Sequence, residues 1–407
     1  MSDISKWPSF SKENKALATL LRYYEPVTDQ PGDETRKRCG SFVLLGQGGF
    51  GKVLRGRNPK VDEVLALKLI WSTRETENGI RQEVAANRRA LSNHANVCQL
   101  HNHHVLSDAF QLMVMEACSK GELFSLVEEK GAVPEPEVQP LFKGIVAGLV
   151  HLHSVGIVHR DLKLENILLS ERDGSTIPKI ADLGLAHVFE RAADGKGWAL
   201  GPITGFYGTR SYMAPEIASV SALYDGFASD VWSLGVCLFA LLAGFFPYDS
   251  ASSTDWRFDR VRHMQRSRPH ESTTHVIYGF YQRTPDALSP AAVQVVDTML
   301  RVNPAARCSL DTLAASGWVA MGATEREVGM GLGALDGDDG SYRGGGMLAG
   351  EEEDDDDDNY RSLSALTFAE PLPEGAAPPP FRRQLASLKG GELHVCEAAK
   401  NGDIGEP

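Results

Sequence analysis

The chain has 407 residues, of which 42% are hydrophobic and 23% charged, a composition typical of soluble globular proteins that allows two or three domains. Its formal net charge is −13, but residues 321–407 hold 19 acidic and 7 basic side chains, so residues 1–320 carry only −1. This nearly neutral body does not indicate a nucleic-acid partner or an anionic membrane surface.

The beginning of the chain lacks the charged-then-apolar order of a secretory signal. Leu17, Leu20, Leu21 and Tyr24 recur at helical spacing, so we predict a short amphipathic helix over residues 11–24 that packs on the following domain. The six cysteines show no paired short spacing, which indicates neither a disulfide framework nor a zinc site. They favour a reducing compartment, and the predicted location is cytoplasmic.

Residues 45–53, LGQGGFGKV, form a glycine-rich segment in which backbone N–H groups can approach phosphate oxygens. Its glycines are Gly46, Gly48, Gly49 and Gly51. Dinucleotide-binding turns have a similar pattern but lead into a helix, whereas residues 64–70, VLALKLI, read as another strand. We therefore predict a phosphate-binding loop between two strands, the second of which carries Lys68.

Residues 159–166, HRDLKLEN, combine a carboxylate, a cation and an amide at close spacing. Transfer of a phosphoryl group needs a residue that orients and deprotonates the attacking hydroxyl, one that neutralises charge, and a Mg²⁺ ligand. Asp161, Lys163 and Asn166 fit these three roles in that order. Four further motifs follow them, namely KIADLG at 179–184, MAPE at 213–216, DVWSLG at 230–235 and NPAAR at 303–307.

These six motifs stand in the order found in eukaryotic protein kinases, and residues 42–318 resemble that superfamily. Within it the chain is most similar to serine/threonine kinases of the calcium/calmodulin-dependent kinase-like group. The resemblance implies an α+β, bilobal protein kinase fold with a small β-rich N-lobe and a larger, mainly α-helical C-lobe. The sequence departs from the usual pattern at Leu183, where a phenylalanine is common, and we interpret this as a tolerated variant.

The resemblance also implies that the enzyme uses ATP with Mg²⁺. Lys68 would hold the α- and β-phosphates, and Asp182 and Asn166 would ligate Mg²⁺. The expected carboxylate partner of Lys68 is Glu83. Glu75 and Glu77 are poorer alternatives, and Glu83 would also fit a solvated helix face.

An adenine ring needs apolar layers on its faces and backbone hydrogen bonds at its edge. By resemblance, the nucleotide-contacting residues beyond the glycines and the lysine are Val53, Ala66, Met115, Glu116, Cys118, Glu122 and Leu168. Here Met115 is the gatekeeper, the backbones of Glu116 and Cys118 meet the adenine edge, and Glu122 reaches the ribose or a substrate arginine. The apolar members of this set would also fit a plain core.

The resemblance also implies serine/threonine specificity, which is marked by Lys163 and by Thr209. Thr209 would hydrogen-bond Asp161 and Lys163. Glu165 resembles an acid that accepts a substrate arginine upstream of the phosphorylated residue. Arg160 resembles the arginine that pairs with a phosphate on the activation segment. Thr204 is the predicted phosphate acceptor, which would imply an upstream activating kinase.

Two other functional classes remain open. A scaffolding pseudokinase would lack one of the catalytic residues, and a small-molecule kinase would lack the APE motif at 214–216. Both are disfavoured because all of these residues are present. The apolar run at 231–246 is shorter than a membrane span requires and contains a serine, so it is predicted to be a core helix.

The predicted domain organisation is an N-terminal extension at 1–41, the catalytic domain at 42–318 and a disordered tail at 319–407. The tail is rich in glycine, proline and acidic residues, with eight consecutive carboxylates at 351–358. Residues 257–268 carry five arginines and one aspartate. Either the acidic tail covers this basic stretch, or the arginines form a solvated face and the tail is unrelated to them.

Overall fold

The computed structural model describes residues 10–27, 36–48, 51–74, 76–90, 94–218 and 223–320. Three predictions therefore fall outside the described residues: the role of Gly49, the alternative partner Glu75, and disorder of the tail from residue 321 onward. The predicted tail began at residue 319, but residues 319 and 320 are helical and Val319 is 2% exposed, so these two belong to the folded domain.

The small lobe is built on a seven-stranded sheet. Its strands are β1 (Glu25–Pro26), β2 (Arg38–Cys39), β3 (Phe42–Gln47), β4 (Gly51–Asn58), β5 (Glu63–Trp71), β6 (Leu100–Ser107) and β7 (Phe110–Glu116). They lie in the order β2-β3-β4-β5-β7-β6, with β1 paired to β4, and all pairs are antiparallel. The strand predicted at 64–70 is therefore present, as part of β5.

The two faces of this sheet bury different side chains because residues alternate along each strand. In β5, Leu65, Leu67 and Leu69 are at most 2% exposed and belong to an outer apolar cluster. Ala66 packs against a second, inner cluster on the opposite face, and Lys68 shares that face by alternation.

One helix packs against each cluster. Helix α1 (Phe10–Leu20) packs on the outer face through its buried Leu20, and α2 (Glu77–Arg89) packs on the inner face through Val84. The predicted amphipathic helix therefore packs on the small lobe, together with β1 and β2. Leu21, which the spacing places on the apolar face, is 49% exposed, whereas Leu17, Leu20 and Tyr24 are buried in the outer cluster.

The large lobe is mainly helical. Its helices are α3 (Phe124–Lys130), α4 (Glu135–Ser154), α5 (Pro215–Ala218), α6 (Gly226–Ala243), α7 (Trp256–Ser267), α8 (Thr273–Gly279), α9 (Pro290–Met299), α10 (Leu310–Ala315) and α11 (Gly317–Ala320). Its short strands are β8 (Ile157–Val158), β9 (Ile167–Arg172), β10 (Ser175–Ile180) and β11 (His187–Val188), paired as β9 with β10 and β8 with β11. The predicted α+β bilobal fold is thus confirmed.

Helix α6 forms the centre of the large lobe. Asp225 caps its first turn by accepting hydrogen bonds from Phe227 N at 2.9 Å and Ala228 N at 3.3 Å. Its end is set by Gly244 at φ 75°, where a Cβ would lie 2.5 Å from the backbone nitrogen of Ala132. Among the described residues, α6 alone is long and apolar enough for a membrane span, but 83% of it is buried inside the fold. This is the core helix that the sequence predicts.

Candidate active site

The carboxylate of Asp161 is held by a network of hydrogen bonds. Lys163 Nζ donates to Asp161 Oδ2 at 2.7 Å and to Thr209 Oγ1 at 2.9 Å, and the Thr209 hydroxyl donates to Asp161 Oδ1 at 2.7 Å. Asn166 Nδ2 donates to the backbone oxygen of Asp161 at 2.8 Å and to Oδ2 at 3.2 Å. The four residues that the sequence groups around one reaction therefore meet at a single carboxylate.

The loop that carries Asp161 is anchored by hydrogen bonds to Asp230 of α6. This aspartate is 1% exposed and accepts hydrogen bonds from the backbone nitrogens of His159 at 2.7 Å and Arg160 at 2.9 Å. Arg160 has a φ of 65°, a left-handed conformation that is costly for a residue with a side chain. The buried carboxylate supplies the hydrogen bonds that stabilise this turn and thereby fixes the direction of Asp161.

Asp182 and Asn166, the predicted Mg²⁺ ligands, lie on either side of a short backbone link. The backbone nitrogen of Ala181, next to Asp182, donates to the backbone oxygen of Asn166 at 2.8 Å. Asp182 has a φ of 59° and a side chain that is 52% exposed. Asn166 donates through Nδ2, so Oδ1 is the atom suited to a cation, and carboxylate and amide oxygens are ligands that Mg²⁺ prefers. The residues present fit a magnesium site.

Lys68 links the small lobe to this centre. Its Nζ lies 2.6 Å from Glu83 Oε1 and 2.9 Å from Asp182 Oδ1. Burial opposes the charged form of the lysine, but the two carboxylates outweigh it and raise the pKa of Lys68. The same lysine holds the pKa of Asp182 below its usual value. Lys68 and Asp182 are therefore both charged at neutral pH.

Glu83 is brought to Lys68 by the buried face of α2. Ile80, Glu83, Val84 and Asn87 lie on that face at a spacing of three and four residues. Asn87 satisfies its own polar group by donating to the backbone oxygen of Glu83 at 2.8 Å. Glu77, the described alternative, instead pairs with Arg81 at 2.6 Å on the exposed side of the helix.

The described glycines of the phosphate-binding segment differ in what they do. Gly46 and Gly48 have open space where a Cβ would stand, whereas a Cβ on Gly51 would lie 2.8 Å from the backbone oxygen of Leu69. Gly48 N donates to Gly51 O at 2.9 Å, which closes the turn between β3 and β4. Gly51 is therefore required by the close approach of β5, and Gly46 and Gly48 leave room for a ligand.

Most of the predicted adenine contacts come together in the inner cluster. Met115 is buried in that cluster, and Ala66, Cys118 and Leu168 pack against it. Val53 lies across from Lys68 in the β4–β5 pair, on the same face.

The hinge residues follow β7. Glu116 uses its backbone nitrogen to donate to Gln99 O at 2.9 Å, so its carbonyl oxygen is the group suited to the adenine edge. Its side chain pairs with Lys179 at 2.8 Å. Glu122 is exposed and lies opposite Leu168 in a β-bridge, beside the adenine slot.

The activation segment, residues 182–216, is held in place near both ends. Arg307 donates from both terminal nitrogens to the carboxylate of Glu216, at 2.6 and 2.7 Å, which joins the MAPE and NPAAR motifs. Near the other end, Leu183 is 2% exposed and shares an apolar cluster with Ala86 of α2, so leucine fills the place of the usual phenylalanine.

Arg160 is engaged within the same segment. Its Nε donates to the backbone oxygen of Leu185 at 2.6 Å, and its guanidinium lies 4.0 Å from the ring centre of Tyr207. This cation–π contact was not predicted, because only the folded segment brings the two residues together.

This two-lobed fold, with a lysine–glutamate pair above an aspartate–lysine–asparagine loop, defines a phosphotransferase of the protein kinase type. The sequence profile described as "Protein kinase domain" matches residues 41–319. The chain belongs to this family.

The curated relatives agree with that assignment. CBL-interacting serine/threonine-protein kinase 7 of Arabidopsis thaliana is 33% identical over 278 residues, covering 67% of this chain and 58% of that protein. Maternal embryonic leucine zipper kinase of Danio rerio is 31% identical over 290 residues, covering 71% of this chain and 39% of that protein. The chain thus spans about half the length of the relatives it matches.

Two contacts that shape the site were missed by the sequence analysis. One is the contact of Asp230, in the DVWSLG motif, with the catalytic loop, for which an acid inside an otherwise apolar helix is a usable signal. The other is an ion pair between Lys52, at the end of the glycine-rich segment, and Glu13 of α1. No local pattern joins residues so far apart in the chain.

Proposed function

We propose that this chain is an ATP-dependent serine/threonine protein kinase that transfers the γ-phosphoryl group of Mg-ATP to serine and threonine hydroxyls of protein substrates. The observation that carries the proposal is the Asp161 carboxylate held by Lys163, Asn166 and Thr209 while Lys68 joins Glu83 to Asp182. A pseudokinase need not keep this set, and a small-molecule kinase does not need the Glu216–Arg307 pair beside a peptide-positioning threonine.

Asp161 would accept the hydrogen bond of the substrate hydroxyl and take its proton as the new P–O bond forms. Lys163 would neutralise charge on the transferred group, because its ammonium already lies between Asp161 and Thr209. Lys68 would bind phosphate oxygens, with Glu83 holding its ammonium in place. Mg²⁺ bound by Asp182 and Asn166 would neutralise charge on the β- and γ-phosphates.

Two substitutions test this mechanism. Asp161→Asn should leave ATP binding nearly intact and lower kcat by about 10²-fold or more, because the proton acceptor is lost. Asp182→Asn should abolish Mg²⁺-dependent nucleotide binding. Phosphorylation measured on a degenerate peptide array with radiolabelled ATP would also establish the substrate preference. Peptide phosphorylation that survived both changes would contradict the mechanism.

The proposal includes substrates with an arginine upstream of the phosphorylated residue. The carboxylate of Glu165 precedes Asn166 and accepts a hydrogen bond from Tyr212 OH at 3.0 Å. Burial raises the pKa of Glu165, although Lys163 and the Tyr212 hydroxyl favour its charged form. Glu165→Gln should therefore remove the preference for arginine on the array while leaving kcat for other peptides unchanged.

We also propose a role in intracellular signalling, in the cytoplasm, with activity regulated by phosphorylation of the activation segment by an upstream kinase. Thr204 is exposed and lies three residues before Tyr207, which covers the guanidinium of Arg160. A phosphate on Thr204 would add about −1.5 to −2 charges and compete with Tyr207 for that arginine. Equal activity of Thr204→Ala and wild type after incubation with ATP and an activating extract would exclude Thr204 as the regulatory site.

A further inference from the structure

A carboxylate from outside the predicted catalytic domain is buried next to the glycine-rich segment. Glu13 of α1 is 7% exposed, forms an ion pair with Lys52 Nζ, and accepts a hydrogen bond from Cys39 Sγ at 3.2 Å. Separating Glu13 from Lys52 would leave an uncompensated buried charge, which is strongly destabilising, so the two side chains stay together.

Lys52 lies at the base of the glycine-rich hairpin. It lies between Gly51 and Val53 and pairs across the hairpin with Gln47, where the glycine-rich turn begins and ends. Because side chains alternate along β4, Lys52 points to the outer face while Val53 points to the nucleotide face. A displacement of the Lys52 backbone therefore moves both the glycine-rich turn and Val53, which is a predicted adenine contact.

The N-terminal segment also contacts the far end of the same strand. Glu25 and Pro26 of β1 pair with Arg57 and Gly56 of β4, and Arg55 Nη2 donates to the backbone oxygen of Val27 at 3.4 Å. Residues 10–27 thus contact β4 at Lys52 through α1 and near its end through β1.

We propose that Glu13 is a positioning residue for nucleotide binding, which fixes the base of the glycine-rich hairpin through Lys52. The inference rests on the proposed kinase function, since it assigns the N-terminal helix to the support of the ATP site. The competing interpretation is that the pair only stabilises the small lobe. The two differ in what they predict for ATP affinity at a given stability.

The experiment uses the full chain with four variants: Glu13→Gln, Lys52→Gln, the exchange Glu13→Lys with Lys52→Glu, and Leu20→Ala as control. Leu20 is fully buried, packs in the outer cluster and is not a member of the ion pair. We would measure Tm, the Kd of a fluorescent ATP analogue without peptide, and KM for ATP separately from kcat. Lys52→Gln keeps the test possible if Glu13→Gln does not fold.

We expect either single substitution at the pair to raise Kd and KM for ATP about fivefold, equivalent to about 1 kcal/mol, with kcat within about twofold of wild type. The charge exchange should recover most of the affinity. Leu20→Ala should lower Tm and leave both constants unchanged. An equal rise in KM for Leu20→Ala, or wild-type affinity in both single variants, would overturn the proposal.

The nucleotide Kd separates this inference from the proposed function. If wild type bound the ATP analogue but phosphorylated no peptide, the kinase proposal would fail, whereas a dependence of Kd on Glu13 would still support the positioning role.

Discussion

The two faces of the small-lobe sheet each carry a lysine paired with a glutamate from a helix, yet the two pairs differ in their roles. On the inner face, Lys68 of β5 pairs with Glu83 of α2 and also reaches Asp182. On the outer face, Lys52 of β4 pairs with Glu13 of α1. Lys52 and Lys68 lie on neighbouring strands, one residue out of register, and so point in opposite directions.

The difference lies in what else can reach each ammonium group. Lys68 is 21% exposed and contacts the half-exposed Asp182, so a phosphate can share it. In the outer pair, the side chains of Lys52 and Glu13 are 15% and 9% exposed, and Cys39 Sγ donates to the same carboxylate at 3.2 Å, so this pair is suited to holding the backbone in position. A lysine–glutamate ion pair is thus suited to phosphate binding on the inner face and to holding the backbone in position on the outer face.

The largest expected effect comes from removing each lysine in turn. Lys68→Met should lower kcat by about 10²–10³-fold, because a donor aimed at the reacting phosphates is lost. Lys52→Met should change kcat by less than about twofold and act on KM for ATP. Steady-state kinetics on one peptide would measure both. Similar losses of kcat for the two variants would remove the distinction between the faces.

The next effect concerns the packing that holds α1 to the outer face. Leu20→Ala should lower the free energy of unfolding by about 2–3 kcal/mol, since it leaves a cavity in the outer cluster. The neighbouring Leu21→Ala is the matched control and should change it by less than about 0.5 kcal/mol, because Leu21 is 49% exposed. Urea denaturation followed by tryptophan fluorescence would measure both. Comparable losses would mean that α1 does not pack as described.

A smaller effect is expected from neutralising the inner carboxylate. Glu83→Gln should lower kcat/KM about tenfold, as Lys68 keeps only Asp182 as a partner. Glu83 helps to raise the pKa of Lys68, so its removal lowers that pKa and the lysine loses its charge at a lower pH. The alkaline limb of the kcat/KM profile should therefore move to lower pH. An unchanged limb would show that Glu83 does not set the charge of Lys68.

The smallest effect is a chemical one on the outer face. Burial, with Glu13 adding to it, raises the pKa of Cys39 to about 11. Glu13→Gln removes a neighbouring negative charge, which lowers this pKa and increases the thiolate fraction. Alkylation of Cys39 by iodoacetamide at about pH 8.5, followed by mass spectrometry, should speed up a few-fold. If Leu20→Ala speeds it equally, opening of the helix rather than charge controls the thiol.

The catalytic centre was predictable because its chemistry fixes residue types at short spacings. Asp161, Lys163 and Asn166 stand within one loop, and the structure brings them within hydrogen-bond distance of one another. Glu83 was less certain among the acids near α2. The signal that favours it is its spacing from Ile80, Val84 and Asn87, which puts it on the buried face.

Contacts that depend on the assembled fold were not predictable. The sequence analysis did not single out Glu13, because a buried carboxylate is recognised only by its partner, Lys52, in the folded structure. In the basic stretch at 257–268, three of the five arginines are exposed, as the solvated-face interpretation predicts, but Arg257 is not. Arg257 is 7% exposed and pairs with Asp249 at 2.7 Å and Asp255 at 3.1 Å, so it does not belong to a solvated face.

Strand β1 and helix α1 affect where the chain can be truncated without loss of solubility. A fragment trimmed to the family boundary at residue 41 would begin just before Phe42, which is fully buried in the outer cluster with Leu54 and Leu67. Without residues 10–27 these side chains would form a contiguous hydrophobic patch on the protein surface, and such patches promote self-association. Poor solubility of the trimmed fragment would then reflect the missing cover and not a defect in the catalytic lobes.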